Sequence, residues 1–338
     1  MRALVLSVPG PIETAPLRLE DHPTPTAGSG EILVRVSACG VCRTDLHIVE
    51  GELSPARPRV VPGHQVVGRV ERAGPGAQRF QPGDRVGIAW LRATCGACEA
   101  CRGGRENLCE RAEFTGYHAD GGFADYAVVS EAFAYAIPAV FGDAEAAPLL
   151  CAGIIGYRAL KLSGVEPGGR LGIYGFGASA HVTLQVARAR GCDVFVCTRE
   201  ESHRALARRL GATWVGGVGD AMPEKMHGTI LFAPAGELVP LALRNLERGG
   251  ILALASIYMT AVPPLDYERD LFYERNVRSV TANTRVDGEE LLAEAGRIPI
   301  RPATTTFALE DANRALSLLK RGGVAGAGVL LTGEGSRV

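Results

Sequence analysis

Between residues 170 and 255 the chain alternates short apolar runs with amphipathic stretches, and this rhythm limits the fold more than any other feature. Residues 170–174 (Arg-Leu-Gly-Ile-Tyr) read as a strand. Residues 179–190 read as a helix, with Val182, Val186 and Ala189 at helical spacing. A second strand at 193–198 and a second helix at 201–210 follow, and 228–232, 239–246 and 251–255 continue the alternation. Strand–helix–strand units of this length close into a parallel sheet covered by helices on both faces, a doubly wound α/β domain. The first strand runs into Gly175-x-Gly177-x-x-Ala180. Gly175 permits a tight turn, Gly177 lets a pyrophosphate approach the backbone, and Ala180 lets helix and strand pack closely. This is the pattern of a Rossmann dinucleotide turn.

The end of the second strand bears on the choice of dinucleotide. A carboxylate there would hold a ribose 2′-hydroxyl, as in NAD sites. This chain has Thr198-Arg199-Glu200, with His203 and Arg204 one helical turn on. A guanidinium at Arg199, assisted by Arg204, suits a 2′-phosphate, so NADP(H) is expected ahead of NAD(H). The plainer alternative makes Arg199 a solvated surface residue, and Glu200 and Glu201 temper the local positive field.

Residues before about 140 differ in character. They carry short β-branched runs, such as 31–38, 65–72 and 85–88, broken by Gly/Pro turns, and form an irregular β-rich region. Inside it stand Cys95, Cys98, Cys101 and Cys109, spaced C-x2-C-x2-C-x7-C on one short loop. Four thiolates so placed suit a closed tetrahedral zinc site, with an iron–sulfur cluster as the alternative ion. Disulfides are not expected, because the spacing is that of a metal knuckle and the sequence shows no secretory leader. Of nine cysteines, Cys39, Cys192 and Cys197 are read as small buried hydrophobes. A net charge of −1 gives no electrostatic case for nucleic acid, and no long apolar run spans a membrane, so a cytoplasmic protein is expected. A chain of 338 residues is long for one core and implies two domains. The change of rhythm places them at 1–150 with 287–338, and at 151–286.

Three further potential ligands lie apart: Cys42 in Cys39-Gly-Val-Cys42-Arg-Thr-Asp-Leu-His47, His64 in Pro62-Gly-His64-Gln, and Cys151 in Pro148-Leu-Leu-Cys151. Spacing alone does not join them. Together with the four-cysteine lobe, the nucleotide turn and Asp120-Gly-Gly-Phe-Ala-Asp-Tyr126, they resemble the zinc-dependent alcohol dehydrogenases of the medium-chain dehydrogenase/reductase superfamily. The bacterial cinnamyl-alcohol-dehydrogenase-like branch is nearest, and the resemblance covers essentially the whole chain. It implies a GroES-like catalytic domain beside the Rossmann domain, two Zn2+ per chain, and a homodimer or homotetramer. Cys42, His64 and Cys151 would hold catalytic zinc, a Cys2His set that leaves the fourth position open. Thr44 would pass a proton from the alcohol, His47 would relay it toward solvent, Asp45 would orient His64, and Arg43 would lie near the cofactor pyrophosphate. Trp90, and more weakly Leu46 and Tyr117, would line the substrate pocket.

The implied activity is hydride transfer between a primary alcohol or its aldehyde and NADP(H). A polyol or sugar dehydrogenase of the same superfamily, or a silent NADP(H)-binding protein, are the rivals. Gln65, where many relatives carry Glu after the ligand histidine, brings no charge beside the metal. Ile155 and Ala327 likewise depart from the Thr and Arg that relatives often carry.

Overall fold

The computed structural model describes residues 1–333. It is a mixed α/β chain that divides into two compact units. One unit comprises Met1–Cys151, Ala282–Gly296 and Pro302–Val338; the other comprises Ala152–Thr281 and Arg297–Arg301. The last five positions of the expected 287–338 segment lie outside the described residues.

The first unit opens with β1 (Arg2–Val5), β2 (Arg18–Asp21), β3 (Glu31–Val41), α1 (Arg43–Glu50), β4 (Gln65–Ala73) and β5 (Arg85–Ile88). It continues through β6 (Leu91–Ala93), α2 (Glu99–Arg102), β7 (Glu113–Phe114), β8 (Tyr126–Ser130), β9 (Ala134–Ala136) and α3 (Asp143–Ala146). The second unit contains α4 (Ala152–Leu162), β10 (Arg170–Tyr174), α5 (Ala178–Ala189), β11 (Asp193–Cys197), α6 (Glu201–Arg209) and β12 (Trp214–Gly216). It also holds β13 (Met226–Leu231), α7 (Val239–Arg244), β14 (Leu246–Leu254) and β15 (Asn276–Ser279). The chain then returns to the first unit with α8 (Arg285–Ala295), β16 (Thr304–Ala308), α9 (Ala312–Lys320) and β17 (Ala327–Leu331).

In the first unit a seven-stranded sheet runs β16-β17-β3-β4-β5-β9, with β8 on β3. Strand β17 pairs antiparallel with β3, Gly328 opposite Val41, so residues near the end of the chain support the strand that leads into α1. The alternating Ile32, Val34 and Val36 of β3 face a core that also takes Val66, Val86, Phe123 and Leu330. In the second unit six parallel strands run β12-β11-β10-β13-β14-β15. The earliest strand, β10, is central, and the order reverses beside it at β13. That is the doubly wound topology, whose ligand crevice lies at the carboxyl ends of these two strands.

The units divide a few residues away from the composition boundary. Residues 282–286 go with the first unit, because Thr284 caps α8 through Asp287 and Arg285 binds Glu106. Arg297–Arg301 go with the second, where the Arg301 N–H donates to Gln185 Oε1 at 2.7 Å. Helix α8 was not apparent in the sequence, although Thr284-x-x-Asp287 is a capping pattern. Strand β15 also went unnoticed. Cys39, Cys192 and Cys197 are all buried. Among the described residues no helix is long and apolar enough to cross a membrane.

Candidate active site

Three donors from three separate segments of the first unit converge. Cys42 is the N-cap of α1, extended at φ −137°, and its Sγ accepts the Thr44 N–H at 3.3 Å. His64 sits just before β4. Cys151 lies in the kink between a 3-10 turn at Ala147–Leu150 and α4. His64 Nε2 is 3.3 Å from both Cys42 Sγ and Cys151 Sγ, and the three donor atoms all lie within 4.8 Å of one another. Zinc bonds of about 2.3 Å to sulfur and about 2.0 Å to nitrogen imply a tetrahedral N···S edge of about 3.5 Å, so the donors fit that ion.

Asp45 fixes this geometry. It is fully buried, and its Oδ2 accepts the Cys42 N–H at 2.8 Å. Its Oδ1 takes the Gly63 N–H at 3.2 Å and lies 3.0 Å from His64 Nδ1. With Nδ1–H donated to a carboxylate, Nε2 carries the lone pair a metal needs. The His64 loop is itself propped. Gly63 has φ 98°, and a Cβ there would fall 2.4 Å from the Phe123 ring, so only glycine fits. Gly121, Gly122 and Phe123 donate to the carbonyls of Val61, Gly63 and Pro62, which explains the Asp120-Gly-Gly-Phe segment structurally. The hydrogen bond with Cys151 and then burial push the Cys42 thiol well up. The Cys42 thiol, beside the buried Asp45 carboxylate, becomes a thiolate readily only when a cation joins it.

The second donor set is Cys95, Cys98, Cys101 and Cys109, again with all four sulfurs within 4.8 Å. Cys95 and Cys101 sulfurs are 3.9 Å apart, close to the edge of about 3.8 Å expected in a ZnS4 tetrahedron. The lobe is less irregular than its sequence suggests. Cys98 caps the helical turn α2 by accepting the Cys101 N–H, Cys95 Sγ accepts the Cys98 N–H, and Glu106–Leu108 form a 3-10 turn. Glu106 leaves this lobe to bind Arg285 of α8 at 2.6 Å.

The lobe is also the loop of the β6–β7 hairpin, which carries the expected substrate wall. Trp90 precedes β6 and stacks on Phe114 of β7, with centroids 4.8 Å apart and planes 10° apart. Its edge meets the His64 ring at 4.9 Å. Tyr117 extends the stack at 6.1 Å and donates its hydroxyl to the Ser54 carbonyl at 2.6 Å. Leu46, by contrast, is 3% exposed inside the core, since its place on α1 turns it inward. Phe114 was not apparent in the sequence. A Phe directly after Glu113 carries no signal until its hairpin partner is known.

On α1, Thr44 is buried, and the His47 imidazole meets Glu52. The Arg43 guanidinium reaches the Lys320 carbonyl at 3.5 Å.

In the second unit Gly175 takes φ 83° at the end of β10, where a Cβ would lie 2.9 Å from the Ala233 backbone. A Cβ on Gly177 would meet nothing within 4 Å, and no side chain caps the amino end of α5. That combination suits a phosphate approaching helix N–H groups. Ala180 is buried and Thr198 is buried at the end of β11. Arg199 is 83% exposed and only loosely paired with Glu200 at 3.6 Å. Arg204 pairs with Glu201 at 2.8 Å.

Comparison with known proteins agrees with this geometry. Residues 28–139 match the alcohol dehydrogenase GroES-like domain. A probable alcohol dehydrogenase, AdhA, from Mycobacterium tuberculosis is 50% identical over 98% of this chain and 97% of its own length. Among solved structures, a cinnamyl alcohol dehydrogenase from Sorghum bicolor has a TM-score of 0.88 and 28% identity, covering 97% of this chain and 96% of that one. A cobalt- and zinc-bound thermostable alcohol dehydrogenase from Pyrobaculum aerophilum has a TM-score of 0.88 and 28% identity, covering 98% and 99%. Half identity along nearly the whole of both chains, on a fold whose cysteines and histidine gather as zinc donors, places this chain among the zinc-dependent alcohol dehydrogenases of the medium-chain dehydrogenase/reductase superfamily.

Proposed function

We propose that this alcohol dehydrogenase interconverts primary alcohols and aldehydes, with a catalytic zinc held by Cys42, His64 and Cys151 and a structural zinc held by Cys95, Cys98, Cys101 and Cys109. The observation that carries the reading is the Asp45–His64 contact beside two thiols, because it presents Nε2 and two sulfurs as three donors of a four-position site. Zinc there would act as a Lewis acid on the substrate oxygen, and the nicotinamide would exchange the hydride. The protein's own residues do the rest. Asp45 locks the His64 tautomer. The Thr44 hydroxyl takes the alcohol proton without placing a new charge beside the thiolates. His47 moves that proton toward solvent. Gln65, buried next to His64, adds no charge to compete for the ion.

Trp90, clamped flat on Phe114, narrows the wall beside His64 and favours flat or linear substrates over branched secondary alcohols. Exposed Arg199 supports NADP(H) over NAD(H), as a cation able to close on a 2′-phosphate. The chain is further proposed to act in the cytoplasm as a homo-oligomer, on small molecules and not on nucleic acid.

The test is initial rates of zinc-assayed protein with NADPH and NADH side by side, against benzaldehyde, cinnamaldehyde, a linear aldehyde and a ketone. Aldehyde-dependent oxidation favouring NADPH at two zinc ions per chain supports the reading. Faster turnover of branched ketones, or a preference for NADH, refutes the corresponding part.

A further inference from the structure

Helix α1 carries His47 in its last turn, and the chain folds back to meet it. Gly51 takes the left-handed conformation at φ 80° and closes the helix by donating to the Ile48 carbonyl. The Leu53 N–H then donates to the His47 carbonyl at 3.1 Å. This turn carries Glu52 back over the helix end, where its Oε2 meets His47 Nδ1. The His47 side chain is 15% exposed and that of Glu52 59%, so the contact lies where a sheltered imidazole reaches solvent. The other acid of this turn is committed elsewhere: Glu50 accepts the Ile12 N–H and pairs with Lys320 at 2.8 Å.

We infer that Glu52 is a positioning residue for His47, holding the imidazole in the Nδ1–H tautomer so that Nε2 is the nitrogen that receives the proton. An imidazole donating Nδ1–H to a carboxylate has Nε2 as its acceptor. A proton arriving at Nε2 makes an imidazolium, which the adjacent carboxylate stabilises. Nε2 then releases that proton to water, and the ring returns to the same tautomer. Glu52 remains a carboxylate throughout, so each cycle moves one proton and leaves the pair as it began. The logic is that of the carboxylate behind a catalytic histidine, placed at an exit to solvent. The inference rests on the proposed relay role of His47.

The experiment has a spectroscopic and a kinetic arm, both on full-length zinc-loaded protein. Long-range 1H–15N correlation spectra of histidine-labelled protein, with His47 assigned by loss of its signal in His47→Gln, report the tautomer without turnover. The wild type should show Nδ1–H, and Glu52→Ala should shift His47 toward the Nε2–H form. In kinetics, Glu52→Ala should lower kcat about tenfold, in the range carried by groups that orient a functional imidazole, with the melting temperature retained. In a His47→Gln background the same change should cost nothing further. An unchanged tautomer in Glu52→Ala overturns the inference, as does an equal loss in both backgrounds, which would mark a structural role. A His47→Gln enzyme at full activity would overturn the relay reading itself, and the inference with it, whatever the spectra show.

Discussion

Replacing Asp45 by Asn removes one charge from the centre of the donor site while keeping the shape of the side chain. The carboxylate serves three donors, one on Oδ2 and two on Oδ1. An amide has only one acceptor atom. The least costly orientation points the new NH2 at the Cys42 N–H, so the Gly63 and His64 bonds survive and the Cys42 bond becomes two opposed donors. One buried, unsatisfied N–H costs about 1–3 kcal/mol. That N–H belongs to the residue that supplies a thiolate. A middle value of about 2 kcal/mol, expressed at the metal, is a loss of about 30-fold in zinc affinity. Competition with a chromogenic chelator measures this directly, and kcat at saturating zinc separates affinity from chemistry. Zinc affinity and turnover both within twofold of wild type would refute the claim that Asp45 organises the site.

Three other outcomes follow from the geometry. Cys98→Ser should release one zinc, lower the melting temperature and raise KM for aromatic aldehydes more than for small ones, because the lobe closes the hairpin that bears Trp90 and Phe114; zinc analysis, a thermal melt and paired kinetics check this. Arg285→Met should destabilise the protein by about 2 kcal/mol, a figure that allows for solvent reaching the guanidinium. Burial alone would raise Glu106, but its bonds to Arg285 outweigh this and hold it below the usual carboxylate range. The pair's contribution is therefore present above about pH 4.5 and is lost as pH falls through the lower folded value, so wild type and variant should converge in acid denaturation. Arg199→Asp should move the NADPH/NADH ratio of kcat/KM toward NADH; an unchanged ratio would show that the residue does not read the 2′-phosphate.

The donor residues were legible because cysteine and histidine are scarce and their segments distinctive, yet spacing alone joined only the four-cysteine set. Cys42, His64 and Cys151 belong to three segments, and no local rule brings such segments together; the resemblance to a family did. The parallel sheet was legible because its strands are continuous apolar runs bounded by glycine turns. Helix α8 was obscured by its mixed polar composition. Glu52 and Phe114 were obscured for a different reason. A glutamate after Gly51 reads as solvated surface, and a phenylalanine on a two-residue strand shows no periodicity. Their partners, His47 and Trp90, are fixed only by the fold.

The pairing of β17 with β3 also bears on how the molecule is made. The Thr332 hydroxyl, one residue past β17, bonds the Val36 carbonyl from 296 positions away, and β17 itself supports Val41 immediately before Cys42. A ribosome adding about 5–20 residues per second needs roughly 15–60 s to cover that distance. During that interval β3 has an open edge and Cys42, the first of the three donors, stands at the end of a half-supported strand. The parallel-sheet unit, whose strands all emerge earlier, can close in the meantime. A nascent chain would therefore complete its nucleotide fold before its donor site, and the emergence of β17 would set the time at which the three donors gain their full support.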